Sequence, residues 1–146
     1  GTQGVFTGNP LNAYGCSGQQ MNYYKYFGIQ SDGKIVAGGA NHVPYQSSTG
    51  LLVRHHPNGD FDLSFNDMKP CDGELSPFGV ENIKIHTSDE IYFRKILRIF
   101  RRTPDGTPNG DFQPFVYPLD YVIQPDGKIV ALGTDGYYVQ LSRYLP

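Results

Sequence analysis

His55 and His56 stand side by side, and Asp60 and Asp62 follow within the stretch PNGDFDLSFND. Imidazole and carboxylate are metal ligands, so chemistry is sought here first. Adjacent residues of a strand point to opposite faces, which keeps His55 and His56 from sharing one ion. His42 and His86 have no ligand motif around them. A calcium site takes six to eight oxygens, and the closing Glu of a helix-loop-helix calcium loop is missing. Asp60 and Asp62 therefore read as turn residues that hydrogen-bond backbone. Cys16, in GCSGQQ, carries no nucleophile signature, and no Gly-x-Ser-x-Gly elbow, phosphate loop or dinucleotide fingerprint is written anywhere. The expectation is a protein without catalytic residues, metal or cofactor.

Binding is better represented. Arg94, Lys95, Arg98, Arg101 and Arg102 place five cations within nine residues, a patch that could meet acidic glycans, phosphates or an acidic partner. Tyr23, Tyr24 and Tyr26 cluster in MNYYKYF, and Tyr137 and Tyr138 adjoin near the end, where alternation would set them on opposite faces. A tyrosine offers a flat apolar face with a polar tip, suited to interfaces and to stacking on sugar rings. The stretch ANHVPYQSSTG, with His42 and Tyr45, lengthens one loop, and loop insertions in repeat proteins often mark a binding face.

The elements that position these residues are legible in composition. In 146 residues there are 18 Gly, 11 Pro, 11 Tyr and 9 Phe, which suits strands punctuated by turns. A net charge of −2 provides no general attraction to nucleic acid or anionic membrane. No apolar run reaches the ~20 residues that span a bilayer. Cys16 and Cys71 are the only cysteines and fit either one disulfide in an oxidising compartment or two separate buried thiols. The first residue is Gly1, compatible with a mature product, an excised domain or a segment of a longer chain.

Two phrases nearly coincide: IQSDGKIVAGG from Ile29 and IQPDGKIVALG from Ile123. Their Asp-Gly turns lie 94 residues apart, twice 47, and 47 also separates Arg54 from Arg101 and Pro57 from Pro104. Arg143 precedes Pro146 by three residues, as Arg54 precedes Pro57, so a third half-copy of that segment closes the sequence. Asp-Gly between alternating apolar runs predicts a type I′ hairpin with two central residues at positive φ. Lys34 and Lys128 follow those turns, where charge discourages edge pairing. In the middle unit Ser88-Asp89-Glu90 replaces Asp-Gly-Lys. Its next segment, Glu90–Arg102, is read as one strand carrying Ile96, Arg98 and Phe100 on one face and Leu97 and Ile99 on the other. A helix capped by Thr87 and Glu90 is the alternative.

Gln124 to Lys128, together with Arg54, Pro57, Gly59, Asp62 and Phe65, resemble the delta-60 repeat, a β-propeller-like repeat of large bacterial surface and secreted proteins. The resemblance spans about residues 27–146 and implies propeller blades without catalytic positions. The expected architecture is all-β: a propeller-like array of about three antiparallel sheets at 27–70, 78–115 and 118–146, after an N-terminal segment 1–26. Propellers close with four to eight blades, so three suggest a partial ring. GTQGVF (1–6) could supply a closing strand, within one chain or between two that make six blades. The expected role is recognition or assembly outside the cell or on a virion, with a glycan, a protein or further copies of the chain as partner. The alternative is a structural subunit of a phage tail or surface appendage.

Overall fold

Five short loops organise the chain, and they share one geometry. A computed structural model of the protein describes residues 21–42, 49–66, 79–114 and 117–145. In Gln30–Lys34 the Gly33 amide donates to the Gln30 carbonyl at 2.9 Å, and the Gln30 amide donates to the Lys34 carbonyl at 2.9 Å. The same two bonds close His56–Asp60, His86–Glu90, Thr103–Thr107 and Gln124–Lys128. The fourth residue of each loop has positive φ: Gly33, Gly59, Asp89, Gly106 and Gly127. This is a three-residue hairpin loop, a type I turn followed by a left-handed residue, rather than the expected type I′ turn. Only one residue per loop needs positive φ, so one glycine suffices and Asp89 can replace it.

The rest of each loop follows from local chemistry. Proline at the second position (Pro57, Pro104 and Pro125) has its φ already set for the turn. At the third position the side chains of Asp32, Asn58, Asp105 and Asp126 accept the amide of the fifth residue. Asp105 receives the Thr103 hydroxyl and the Thr107 amide, which hold its carboxyl down to about 2. Lys34 and Lys128 pair with Asp32 and Asp126 of their own loops. They open central strands, so they do not guard edges as expected.

Among the described residues, ten strands and no helix run between the loops. β1 (Met21–Ile29), β2 (Ile35–His42) and β3 (Thr49–His55) form the first antiparallel sheet. β4 (Glu81–Ile85), β5 (Ile91–Lys95), β6 (Arg98–Arg102) and β7 (Pro108–Phe112) form the second, and β8 (Tyr117–Ile123), β9 (Ile129–Thr134) and β10 (Val139–Tyr144) the third. The first sheet begins at Met21, so it reaches back into the segment 1–26. Gly33, Asp89 and Gly127 stand 56 and 38 residues apart, so the 94-residue interval is not two steps of 47. The chain is longer both from β2 to β3 than from β5 to β6 and from β3 to β4 than from β6 to β8, which makes the steps unequal.

Glu90–Arg102 is thus a hairpin, neither a helix nor one strand. Ile96 and Leu97 form its turn, with Ile96 at φ 57°. Around that turn Phe93 faces Phe100, their rings stacked at 5.2 Å.

The sheets stack face to face. Tyr26, Val36 and Leu52 of the first pack on Ile83, Ile85, Ile91, Phe93 and Phe100 of the second. Gly28 and Gly38 permit the approach, since a Cβ at either would sit 2.5 Å from the Ile85 or Val80 side chain. The opposite face of the second sheet, with Tyr92, Ile99 and Phe112, packs on Tyr121, Ile123, Ile129, Ala131 and Tyr144 of the third. The second sheet is therefore covered on both faces, and the first and third sheets each meet it with one face.

Candidate functional site

Polar contacts between sheets fix how the loops sit. Gln30 Nε2 donates to the carbonyls of Asp89 (3.1 Å) and Pro104 (2.9 Å) in the second repeat. Ser31 donates its amide and hydroxyl to the Asp89 carboxylate. His86 reaches the Gln124 carbonyl at 3.1 Å. Beneath them, Arg54 donates to Asp62 through Nε (2.9 Å) and Nη2 (2.8 Å), to the Pro104 carbonyl and to Gln30 Oε1. Its guanidinium lies 4.8 Å from the Phe65 ring centre. Burial pushes the Asp62 carboxyl up, but the Ser64 hydroxyl and the Arg54 charge outweigh it and leave the carboxyl below the usual range. Asp62 is thus more than a turn residue. The fixed Gln30, His86 and Gln124 loops occupy one end of the stacked sheets.

The opposite end carries what remains exposed. There lie Tyr23 near the start of β1, the Ile96–Leu97 turn, Tyr117 at the start of β8, and Tyr137 and Tyr138 between β9 and β10. Their exposures run from 38% at Leu97 to 90% at Tyr137, so this end of the three sheets is an apolar, aromatic rim contributed by separate strands. Tyr137 and Tyr138 belong to a tight connection rather than to opposite faces of a strand. Both donate their amides to Asp135 Oδ1 at 2.9 Å, and Gly136 takes φ 97°. Those amides, Tyr138 first, lower the Asp135 carboxyl. The backbone of this loop is therefore anchored while its two rings project. At Ile96 a β-branched residue holds a left-handed conformation, a strain of the kind that gathers at functional surfaces.

The other residues singled out in the sequence scatter. Tyr24, half-exposed, meets the edge of His55 at 6.1 Å, on the opposite face from Tyr26, which packs into the core. His42 is the last residue of β2. Tyr45, the pair Cys16 and Cys71, and the segment 1–6 lie outside the described residues. Of the five cations, Lys95 and Arg98 stand opposite each other across β5 and β6, and three others pair with carboxylates. Arg94 pairs with Glu81, Arg101 with Glu90 and Arg102 with Asp111, Lys95 is 5% exposed, and Arg98 is exposed. His55 meets the Gly59 carbonyl at 2.9 Å, while His56 lies 3.9 Å from Asp62. Among the described residues no group of three His, Cys, Asp or Glu could hold a metal ion.

One small cavity, about 100 Å³, opens between the second and third sheets beside Tyr92, Ile99, Arg101 and Phe112. The Tyr92 hydroxyl there is buried without a hydrogen-bond partner, and burial raises its pKa. Such a space fits a few waters, which would satisfy the phenol.

The rim was missed as a unit because Ile96, Leu97 and Tyr117 carry no motif. Alternation counted through Ile96 and Leu97 also hid the turn. Residues 30–65 match a family model described as a domain of unknown function (DUF5122) beta-propeller. No curated protein matches the chain. With three antiparallel sheets stacked face to face, the chain is a β-propeller-like repeat array.

Proposed function

We propose that this chain is a non-catalytic recognition module whose rim of tyrosines and exposed aliphatics binds a protein or a glycan. The observation that carries the reading is the projection of Tyr137 and Tyr138, 90% and 73% exposed, from a connection whose backbone Asp135 anchors. Large aromatic rings on a pre-ordered loop lose little conformational freedom on contact, which favours binding. The delta-60 resemblance of Gln124–Lys128 and of Arg54–Phe65 adds a location outside the cell or on a particle surface.

The test is binding of the purified chain to a glycan array and to surface proteins displayed from the same source. A ligand held by the chain and lost in Tyr137→Ala with Tyr138→Ala supports the reading. Binding that survives the double substitution refutes the rim as the site. A second reading, a structural subunit, is favoured by the open apolar face of the third sheet.

A further inference from the structure

The three sheets offer corresponding faces, and the correspondence can be followed residue by residue. Gly28, Val36, Gly38, Leu52 and Arg54 of the first sheet take the register positions of Lys84, Tyr92, Arg94, Ile99 and Arg101 in the second. In the third those positions hold Val122, Val130, Leu132, Leu141 and Arg143. In the first and second sheets this face is covered by the next sheet. In the third it is open: Val122 is 52% exposed, Leu132 38% and Leu141 72%. Four aliphatic side chains gathered on one sheet face are what a partner would cover.

The polar contacts show the same interruption. Gln30 and Arg54 together reach the Pro104 carbonyl of the following repeat. Gln124 and Arg143 stand at their positions in the third sheet. Gln124 Oε1 is buried without a hydrogen-bond partner, and Arg143 is exposed. A buried amide oxygen left unpaired is costly, and a following repeat would bring the arginine over it.

The complementary half is on the first sheet. The positions that the second and third sheets bury against a preceding neighbour are Ile83, Ile85 and Ile91, and Tyr121, Ile123 and Ile129. Their counterparts in the first sheet are Phe27, Ile29 and Ile35. Phe27 is 68% exposed and Ile29 58%. Farther along that face Ala37, Leu51 and Val53 are already buried with Phe61 against them, so the open part is the β1 side near the Gln30 loop.

We infer that the outer face of the third sheet binds the outer face of the first sheet of a second copy, continuing the stacking already made twice within the chain. The contact is head to tail: Leu132 and Leu141 cover Phe27 and Ile29 of the second copy, and Gln124 and Arg143 reach its Pro57 carbonyl. The loops are matched for it. Ser31 and Asp89 bond across the first internal interface, whereas at the new one Pro125 has no amide hydrogen and Gly33 of the second copy has no carboxylate. Two copies joined twice make a closed pair, and copies joined once each make a filament. This inference deepens the structural-subunit reading and is independent of ligand binding at the rim.

Light scattering and sedimentation velocity of the full chain test it, with Leu141→Lys and Phe27→Lys made singly. Both positions are exposed, so both variants should melt near the wild type. The wild type should exceed its monomer mass of 16.3 kDa. Each variant should associate at least ~100-fold more weakly. An equimolar mixture of the two keeps one intact pair of faces and should form a 1:1 heterodimer and nothing larger. A wild type monomeric throughout overturns the inference. Loss of association in Leu141→Lys but not in Phe27→Lys also overturns it, because the third sheet would then meet something other than the first. Rim binding with Tyr137 and Tyr138 intact persists in either variant, so the two readings fail separately.

Discussion

Replacing Asp62 with alanine should remove a large part of the stability of this chain. Arg54 is 6% exposed and Asp62 3%, and two bonds of 2.8–2.9 Å join them. Without the carboxylate, the guanidinium stays buried beside only neutral acceptors, Gln30 Oε1 at 3.3 Å and the Pro104 carbonyl at 2.5 Å. Breaking a buried pair in this way costs about 3–5 kcal/mol. Set against a total of ~5–15 kcal/mol for a domain, the loss is about a fifth of the stability or more. With an m-value of ~2 kcal/mol/M, the urea midpoint should fall by about 1.5–2.5 M. The chain has no Trp, so unfolding is followed by far-ultraviolet circular dichroism and tyrosine emission. Arg54→Met combined with Asp62→Leu removes both charges, and it should recover most of the loss because neither partner is stranded. The pH dependence has a definite sign. The folded Asp62 carboxyl lies below its ordinary 3.8, so its contribution is complete above that value and is lost as pH falls through the lower folded pKa. The Asp62→Ala profile should be flatter in that window. A cost under ~1 kcal/mol, or a double variant as unstable as the sum of the singles, would refute the argument that the pair is mutually dependent.

Ile96→Gly should raise stability by about 1 kcal/mol by relieving a left-handed β-branched residue, measured as a higher urea midpoint; a decrease would show that Ile96 packing outweighs the strain. Gly39→Ala should cost about 3 kcal/mol or more, because its Cβ would lie 1.9 Å from the Tyr23 carbonyl oxygen and only backbone movement relieves that; a thermal melt like the wild type contradicts the β1–β2 register. Carboxyl nuclear magnetic resonance should find Asp105 titrating at about 2, and a value near 3.8 would mean that Thr103 and Thr107 do not close on it. Asp32, Asp120 and Asp126 are also lowered, Asp32 and Asp126 chiefly by their lysines and Asp120 by Asn82. Stability should therefore hold above about pH 4 and decline below it, and a flat acid profile would count against these loop bonds.

The sequence by itself determined the turns and the strands beside them. Loop chemistry is local: an Asp or Asn two residues before the amide it accepts, and a Gly one residue farther on, specify a hairpin wherever they occur. That is why Gln30–Lys34 and Gln124–Lys128 were readable and the all-β repeat with them. The turn type is not specified locally, because Asp-Gly serves both a two-residue and a three-residue loop, and cross-strand hydrogen bonding chooses between them. The Ile96–Leu97 turn had no glycine to announce it. Tertiary structure alone decided that Arg54 meets Asp62 and Pro104, and that Tyr23, Ile96, Tyr117 and Tyr137 of three separate sheets stand exposed at one end. It also decided that Leu141 faces outward while Leu52 and Ile99, at corresponding positions, are buried. Alternation says that a strand has an apolar face; only the stacking of sheets says whether anything covers it.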